Sequence, residues 1–325
     1  MPTPLRIVSY NVRYFGHAVR GLASTRAGKR GIATALAQLD PVPDLICLQE
    51  VETSSIRSNL GRPRVKADQT QLESFMESLE LAYQARGMEL PFEALYFRAH
   101  TYKLGDVSLY TTGLAVLVNL ETLRVDMHNA EAPTGITHYH VARWKDRKQS
   151  RICAHLQLAD GEGRPLHLFN THLSLPTPFA REYWSVKEKM GHGVNQLHEA
   201  KRLAEFVRER SKGEPFVVCG DFNSPPGSPV YKLLREEAGF VGVQEQLGQI
   251  HPGTPRAFPT AGFMRLRMHL DHLFCSRDVR WLDLEGTHPF GQGPFAGLSD
   301  HMPLIGRFRI EHPVPAELGP ETQHR

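Results

Sequence analysis

Strand-like apolar runs in this chain end, again and again, in polar residues that a buried strand does not need. Asn11 closes IVSYN, Glu50 closes LICLQE, Asn170 and His172 close LHLFNTH, and Asp221 and Asn223 close VVCGDFN. Asp271 closes MHLD, and Asp300 and His301 open the last strand in GLSDHMPL. Each alone has a plain structural reading as a turn residue, a cap, a surface charge or a satisfied core histidine. Six such endings in one chain do not look independent. In layered α/β folds, ligand sites form where strand ends and their loops converge. The stretch VVCGDFNSPPGSP adds direction: strand alternation puts Asp221 and Asn223 on one side, and turn chemistry follows at once.

The remaining pattern mixes strands and helices along the whole chain. LRIVSYNV and PDLICLQEV read as buried strands, and KRGIATALAQLD between them as an amphipathic helix with Ile32, Leu36 and Leu39 on one side. QTQLESFMESLELAYQARG is a helix closed by Gly87. A meander of strands follows, in which GEGR turns a hairpin between SRICAHLQLAD and RPLHLFNTHLS. The helix NQLHEAKRLAEFVRERSKG presents Leu197, Ala200, Leu203, Ala204 and Val207 inward. A strand (PFVVCGD), a short helix (SPVYKLLREE) and three late strands complete the order. Strands outnumber helices, and the helices fall before and after the meander. That order predicts two sheets face to face with helices on their outer faces. A single domain over 1–312 is expected, with a polar, Pro-rich tail over 313–325.

Composition excludes more than it identifies. With 41% hydrophobic and 22% charged residues, the chain is neither disordered nor fibrous. A net charge of +3 does not announce nucleic-acid binding, although it leaves room for a local basic patch. No apolar run is long enough to span a bilayer and no signal-peptide pattern opens the chain, so a cytoplasmic, monomeric protein is the expectation. Cys47, Cys153, Cys219 and Cys275 lie inside apolar runs without metal-like spacing and read as small core residues.

The polar endings suggest a definite chemistry. Carboxylates with an amide make a hard oxygen site of the type magnesium prefers, with water or substrate oxygens filling the other positions. Two histidines nearby would polarise a phosphate oxygen and handle a proton. Zinc is disfavoured, because His172 and His301 have neither cysteine companions nor close spacing. Neither a Gly-rich phosphate loop nor a GxSxG nucleophile elbow is present, which leaves metal-activated water as the nucleophile.

Taken together, SYNVRYFG, DLICLQEV, FNTHLS, CGDFNSPPGSP, HLDHLF and LSDHMPL resemble the endonuclease/exonuclease/phosphatase superfamily, in the right order and across nearly the whole chain. The resemblance implies a DNase I-like fold: a four-layer α/β/β/α sandwich of two packed mixed β-sheets flanked by helices, with the metal site at one rim. It implies magnesium, with manganese as a substitute, held by Glu50 with Asn11 beside it and Asp300 nearby. Asp221 would orient or deprotonate the attacking water, Asn223 would hold a phosphate oxygen and His172 would donate to the phosphate. His301, oriented by Asp271, would be the second catalytic histidine and the first candidate for the proton acceptor, ahead of Asp221.

Substrate is less constrained. YNVRYFG resembles the first strand of pancreatic-type deoxyribonucleases, where the Arg after the site Asn approaches DNA, so Arg13 is a candidate substrate contact. The acidic residue that apurinic-site nucleases carry there is absent. In HTYKLGD, similar to a segment of the pancreatic type, Leu104 stands where an acidic residue would support the first histidine, and the support of His172 is left unassigned. Asn170, Tyr183 and Trp184 are further candidates for substrate binding. Tyr183 and Trp184 belong to LSLPTPFAREYWSVKEKMGHG, where aromatics interleaved with cations suit stacked bases and phosphates or a lipid interface. An ordinary loop packing its aromatics on the core is the competing reading. Arg265 and Arg267 make a second basic element just before Asp271, for which a solvated strand face is the commoner fate. The expected activity is hydrolysis of a phosphodiester, with nucleic acid first. Phospholipid or sphingomyelin comes next and an inositol phosphate third, and a catalytically dead scaffold is the non-enzyme alternative.

Overall fold

The computed structural model describes residues 3–15, 22–55, 71–104, 107–137, 150–176, 190–250, 259–263, 266–285 and 291–311. Strand β1 (Leu5–Asn11) leads to helix α1 (Leu22–Ala37) and strand β2 (Leu45–Ser55). Helix α2 (Gln71–Gln84) precedes β3 (Phe92–Leu104), β4 (Val107–Asn119), β5 (Leu123–His128) and the short β6 (Thr134–Gly135). Next come β7 (Ile152–Asp160), β8 (Pro165–His172), helix α3 (Val194–Ser211) and β9 (Phe216–Asp221). Short helices α4 (Pro229–Lys232) and α5 (Val243–Gln246) flank β10 (Val241–Gly242). The chain then forms β11 (Ala261–Phe263), β12 (Leu266–Met268), β13 (Asp271–Cys275), β14 (Val279–Leu284) and β15 (Leu304–Ile310).

Two mixed sheets face each other. The first runs β14-β15-β1-β2-β4-β3 and the second β10-β13-β9-β8-β7-β5, with β6 on β7 and a separate β11-β12 ribbon. The β1–β2 and β8–β9 pairs are parallel, and their neighbours in the sheets are antiparallel. Period-2 alternation sorts the first sheet's side chains between two cores. Ile7, Leu45, Cys47, Val116 and Val118 join the second sheet and α3 in one buried cluster. Val8, Ile46, Leu48, Ala115 and Leu117 turn the other way, onto Ile32 and Leu36 of α1 and Phe75 and Leu79 of α2. Each such apolar side chain contributes about 1.5–3 kcal/mol by leaving water. The layers are therefore helix, sheet, sheet, helix, as the sequence pattern and the resemblance both imply.

Several local expectations shift by a few residues. Leu39 packs just beyond the end of α1, and SPVYKLLREE divides into α4 and a wider turn over Leu233–Glu237. Asp271 opens β13 rather than closing the preceding strand. The chain leaves the β11-β12 ribbon at His269 and Leu270, and the backbone N–H groups of Leu270 and Asp271 both donate to Thr260 Oγ1 at 3.0 Å. All four cysteines are buried and free. Among the described residues no helix is long and apolar enough to cross a membrane. The proposed tail over 313–325, Arg265, Tyr183 and Trp184 lie outside the described residues, and so does the side chain of Leu104.

One glycine holds the second sheet's site edge together. Gly220 has φ +145° beside Thr171 of the parallel neighbour β8, and a Cβ there would run into the Thr171 carbonyl. Gly220→Ala is expected to cost more than about 3 kcal/mol, through strained φ and a forced separation of β8 from β9. Urea unfolding checks this: a midpoint close to wild type would show that the two strands can part without cost.

Candidate active site

Sheet register assembles one side of the site. His172 at the end of β8 pairs with Asp221 at the end of parallel β9, and Asp221 pairs with Asp271 at the start of antiparallel β13. The row His172–Asp221–Asp271 thus crosses three adjacent strands at one sheet rim. The opposite side comes from the first sheet, where Asn11 ends β1 opposite Gln49 of β2. Pairing of β2 with β4 slips between Leu48 and Val51, and within that bulge Glu50 adopts φ +55°. A bulge re-aims a side chain that regular alternation would send elsewhere. Here it turns the Glu50 carboxylate toward Asn11 and His172.

Asp221 is the hub. Asn11 Nδ2 donates to Asp221 Oδ2 at 3.0 Å and to Glu50 Oε1 at 3.1 Å, bridging the two carboxylates. His172 Nε2 lies 3.5 Å and His301 Nε2 3.8 Å from the same Asp221 oxygen. Asp221 Oδ1 accepts the backbone N–H of Asn223 at 2.9 Å, with Asn223 at φ +49°. His301 Nδ1 is 2.9 Å from Asp271 Oδ2, and its backbone N–H is held by Ser299, whose hydroxyl donates to the Asn11 carbonyl at 2.8 Å. Left-handed backbone at two polar site residues is the kind of local cost that functional sites carry.

Burial and like charges set the protonation of the hub. Burial, with Asp271 and Glu50 as like-charged neighbours, pushes the Asp221 carboxyl up to about 7. For His301 burial works against the charge, but Asp271, Asp221 and Asp300 outweigh it and raise the pKa to about 10. His172 goes the other way, well below the usual histidine range, because it is buried and faces the charges of Arg151 and His301. The two imidazoles therefore differ: His301 is held charged and His172 neutral.

Not every residue singled out in the sequence meets at this hub. Asn170 is fully buried between the sheets, donating to the carbonyls of Leu48 at 3.1 Å and Ala115 at 3.3 Å while accepting from Gln49 Nε2 at 2.8 Å. It has no surface to offer a substrate; it ties one sheet to the other beneath the site. Asn170→Ala is expected to lower stability by about 1–3 kcal/mol, since it orphans buried carbonyls, while leaving KM unchanged. A KM that rises with unaltered unfolding would return Asn170 to the substrate site. Asn11 points its nitrogen at the carboxylates and its Oδ1 accepts the Arg13 N–H at 3.0 Å, so it braces Glu50 and Asp221. Asp300 is ion-paired with Arg13 and stands outside the acidic groups able to share an ion. Arg13 is only partly exposed at the rim, in a left-handed turn over Arg13–Phe15.

Sequence reasoning missed three supports. Arg151, which precedes β7, places a guanidinium nitrogen 3.1 Å from His172 Nδ1. Gln196 of α3 donates to the Asn223 carbonyl at 3.0 Å, and Glu199 receives the Ser174 N–H at 2.8 Å and its hydroxyl at 2.7 Å. The only signal for Gln196 and Glu199 is polar residues on a helix face that otherwise turns apolar side chains inward. Arg151 offers a lone cation at the start of the strand beside His172.

Among the described residues, two groups of ligand atoms lie close enough to hold a metal ion: Glu50, His172 and Asp221, and Asp221, Asp271 and His301, each set within 4.8 Å. The first fits a hard divalent cation, because Glu50 and Asp221 supply two carboxylate oxygens and the open rim leaves room for water or substrate. In the second, His301 Nδ1 is already engaged by Asp271 Oδ2.

Residues 8–301 match the family model of the Endonuclease/Exonuclease/phosphatase family. The chain belongs to that family. Members of the endonuclease/exonuclease/phosphatase family hydrolyse phosphate esters. Among curated relatives, an inositol phosphosphingolipids phospholipase C from Saccharomyces cerevisiae is 34% identical over 84 residues, 26% of this chain and 16% of the relative. A CCR4-Not complex 3'-5'-exoribonuclease subunit Ccr4 from Coccidioides immitis is 29% identical over 139 residues, 34% of this chain and 18% of the relative. These matches span less than a fifth of either relative's length. Among solved structures, the human Nocturnin catalytic domain has a TM-score of 0.61 at 18% identity, covering 95% of both chains. ANGEL2, a 2',3'-cyclic phosphatase, has a TM-score of 0.61 at 17% identity, covering 96% of both. At such identities these structures speak for the family's fold.

Proposed function

We propose that this family member is a magnesium-dependent phosphodiesterase, with nucleic acid as the favoured substrate class, cleaving a P–O bond by in-line attack of water. The convergence of Asn11, His172 and His301 on Asp221 Oδ2, opposite Glu50, carries the proposal. Glu50 and Asp221 would hold the cation, which supplies positive charge to the phosphoryl oxygens and to the attacking water. Manganese would serve in its place, since it accepts the same oxygen donors.

The chain's own residues divide the remaining work. Asp221 lies against the cation and the attacking water and receives its proton, since burial and the like charges of Asp271 and Glu50 favour its neutral form. His301, facing Asp271, Asp221 and Asp300, works as a charged partner to the phosphoryl group. This reverses the order of His301 and Asp221 expected from sequence, and the reason is the number of carboxylates around one ring. His172 and Asn223, whose side chains approach to 3.2 Å, face the phosphoryl oxygens as donors. Arg13 at the rim is suited to the next phosphate along a strand, and the relatives, one exoribonuclease and one phospholipase C, are both consistent with a diester.

A substrate panel of single- and double-stranded DNA, RNA, sphingomyelin and inositol phosphates tests the class. Turnover is expected to be fastest on a nucleic acid; a preference for sphingomyelin or a monoester would reassign the substrate. Glu50→Gln tests the metal. A neutral amide keeps the shape and removes charge that a hard cation needs, so half-saturating magnesium is expected to rise at least about tenfold. An unchanged magnesium titration would remove Glu50 from the site.

A further inference from the structure

We infer that Arg151 is a positioning residue that fixes His172 as the neutral Nε2–H tautomer, a committed hydrogen-bond donor. The geometry leaves little choice. A guanidinium carries only donors and does not lose its proton in proteins, so the ring nitrogen 3.1 Å from the Arg151 guanidinium has to accept. Nδ1 is then bare and the ring's proton sits on Nε2. That N–H faces Asp221 Oδ2 at 3.5 Å and Glu50 Oε1 at 3.9 Å, the place where a phosphoryl oxygen would arrive.

Asn223 creates a conflict that the inference has to settle. Its Nδ2 lies 3.2 Å from His172 Nε2, so donors approach both nitrogens of a ring that, when neutral, has one acceptor. Charge decides between them. A hydrogen bond from a charged donor is about twice as strong as one from a neutral amide, so the arginine claims the lone pair. Asn223 has another use for its hydrogens, since Nδ2 also donates to the Leu173 carbonyl at 2.9 Å.

Arg151 is built in rather than draped over the surface. It is 9% exposed, its carbonyl accepts from Ile136 N at 2.9 Å and from Thr137 Oγ1 at 3.2 Å, and its Nε is buried. Arg151 and His172 share the wall of a pocket that also includes Glu50, Thr112, Gly113 and Ser150. A carboxylate in the place of Arg151 would hold a proton on Nδ1 and leave Nε2 bare when the ring is neutral. The arginine does the reverse.

The donor role toward a phosphoryl oxygen rests on the hydrolytic reading above, whereas the tautomer does not, and one experiment separates them. The full chain, labelled with ¹⁵N at histidine and free of metal, is studied by long-range ¹H–¹⁵N correlation, with His172 assigned by the signal lost in His172→Gln. The expected result is a protonated Nε2 and a bare Nδ1. In Arg151→Met, Nδ1–H should gain population as Asn223 donates into Nε2, and turnover should fall about 10- to 100-fold with little change in KM. Arg151→Lys should recover part of both, as a charged donor without the planar fork. A wild-type ring protonated on Nδ1 would overturn the inference even if Arg151→Met fails to fold. So would an Arg151→Met variant with the tautomer unchanged. A wild-type Nε2–H in a chain without any hydrolase activity would sink the proposed function and leave the role of Arg151 standing.

Discussion

His301→Ala and Asp271→Asn are each expected to lower turnover by about 10²- to 10⁴-fold, the range for removing a group that handles a proton or charge in the transition state. The double variant is expected to lose little more than the worse single. The 2.9 Å contact between His301 Nδ1 and Asp271 Oδ2 makes them one unit, since Asp271 orients the ring and holds its charge beside Asp221. Residues that work as a unit are strongly non-additive in rate. Two independent residues would give losses that multiply. Single-turnover rates, with thermal melts to show that each variant is folded, distinguish these outcomes. Losses that multiply in folded protein would dissolve the pair, and near-normal rates would remove both residues from the reaction.

Asp221→Asn is expected to cost at least about 10²-fold in turnover while stability stays within about 1 kcal/mol of wild type. Two opposing effects hold stability near its starting value. Burial beside Asp271 and Glu50 disfavours the charged carboxylate, so a neutral amide relieves repulsion. An amide has one oxygen where the carboxylate uses both, one for Asn223 and one for Asn11, so a hydrogen bond is lost. Activity has no such compensation, because the atom on which Asn11, His172 and His301 converge changes from acceptor to donor. A folded Asp221→Asn with more than a tenth of wild-type turnover would displace Asp221 from the centre of the mechanism.

The layers were legible because period-2 alternation in IVSY, LICL and LAVLV sorts side chains to two faces without help from distant contacts. Asp221, Asn223, His172 and His301 were legible for a related reason: each interrupts or flanks an apolar run at a strand end, where sheet register aligns His172 with Asp221 and hydrogen bonds bring in Asn223 and His301. The same signal misled at Asn170. A polar residue two places before His172 looks identical in sequence whether it meets a substrate or bridges two sheets, and Gln49, its partner, lies 121 positions away. The aim of Glu50 depends on a bulge, which no local residue type announces. Arg151 was invisible as the support of His172 because the contact joins the start of one strand to the end of its neighbour, across a hairpin.

Hydrolysis of a generic chromogenic phosphodiester, followed in purified protein stripped of metal and then titrated with magnesium, bears most directly on the site built around Asp221 and Glu50. The expected result is no turnover in the stripped protein, saturable turnover as magnesium is added, and loss of that response in Asp221→Asn. Turnover that is equal in chelator and magnesium, or absent with both magnesium and manganese, would contradict a metal-dependent phosphodiesterase.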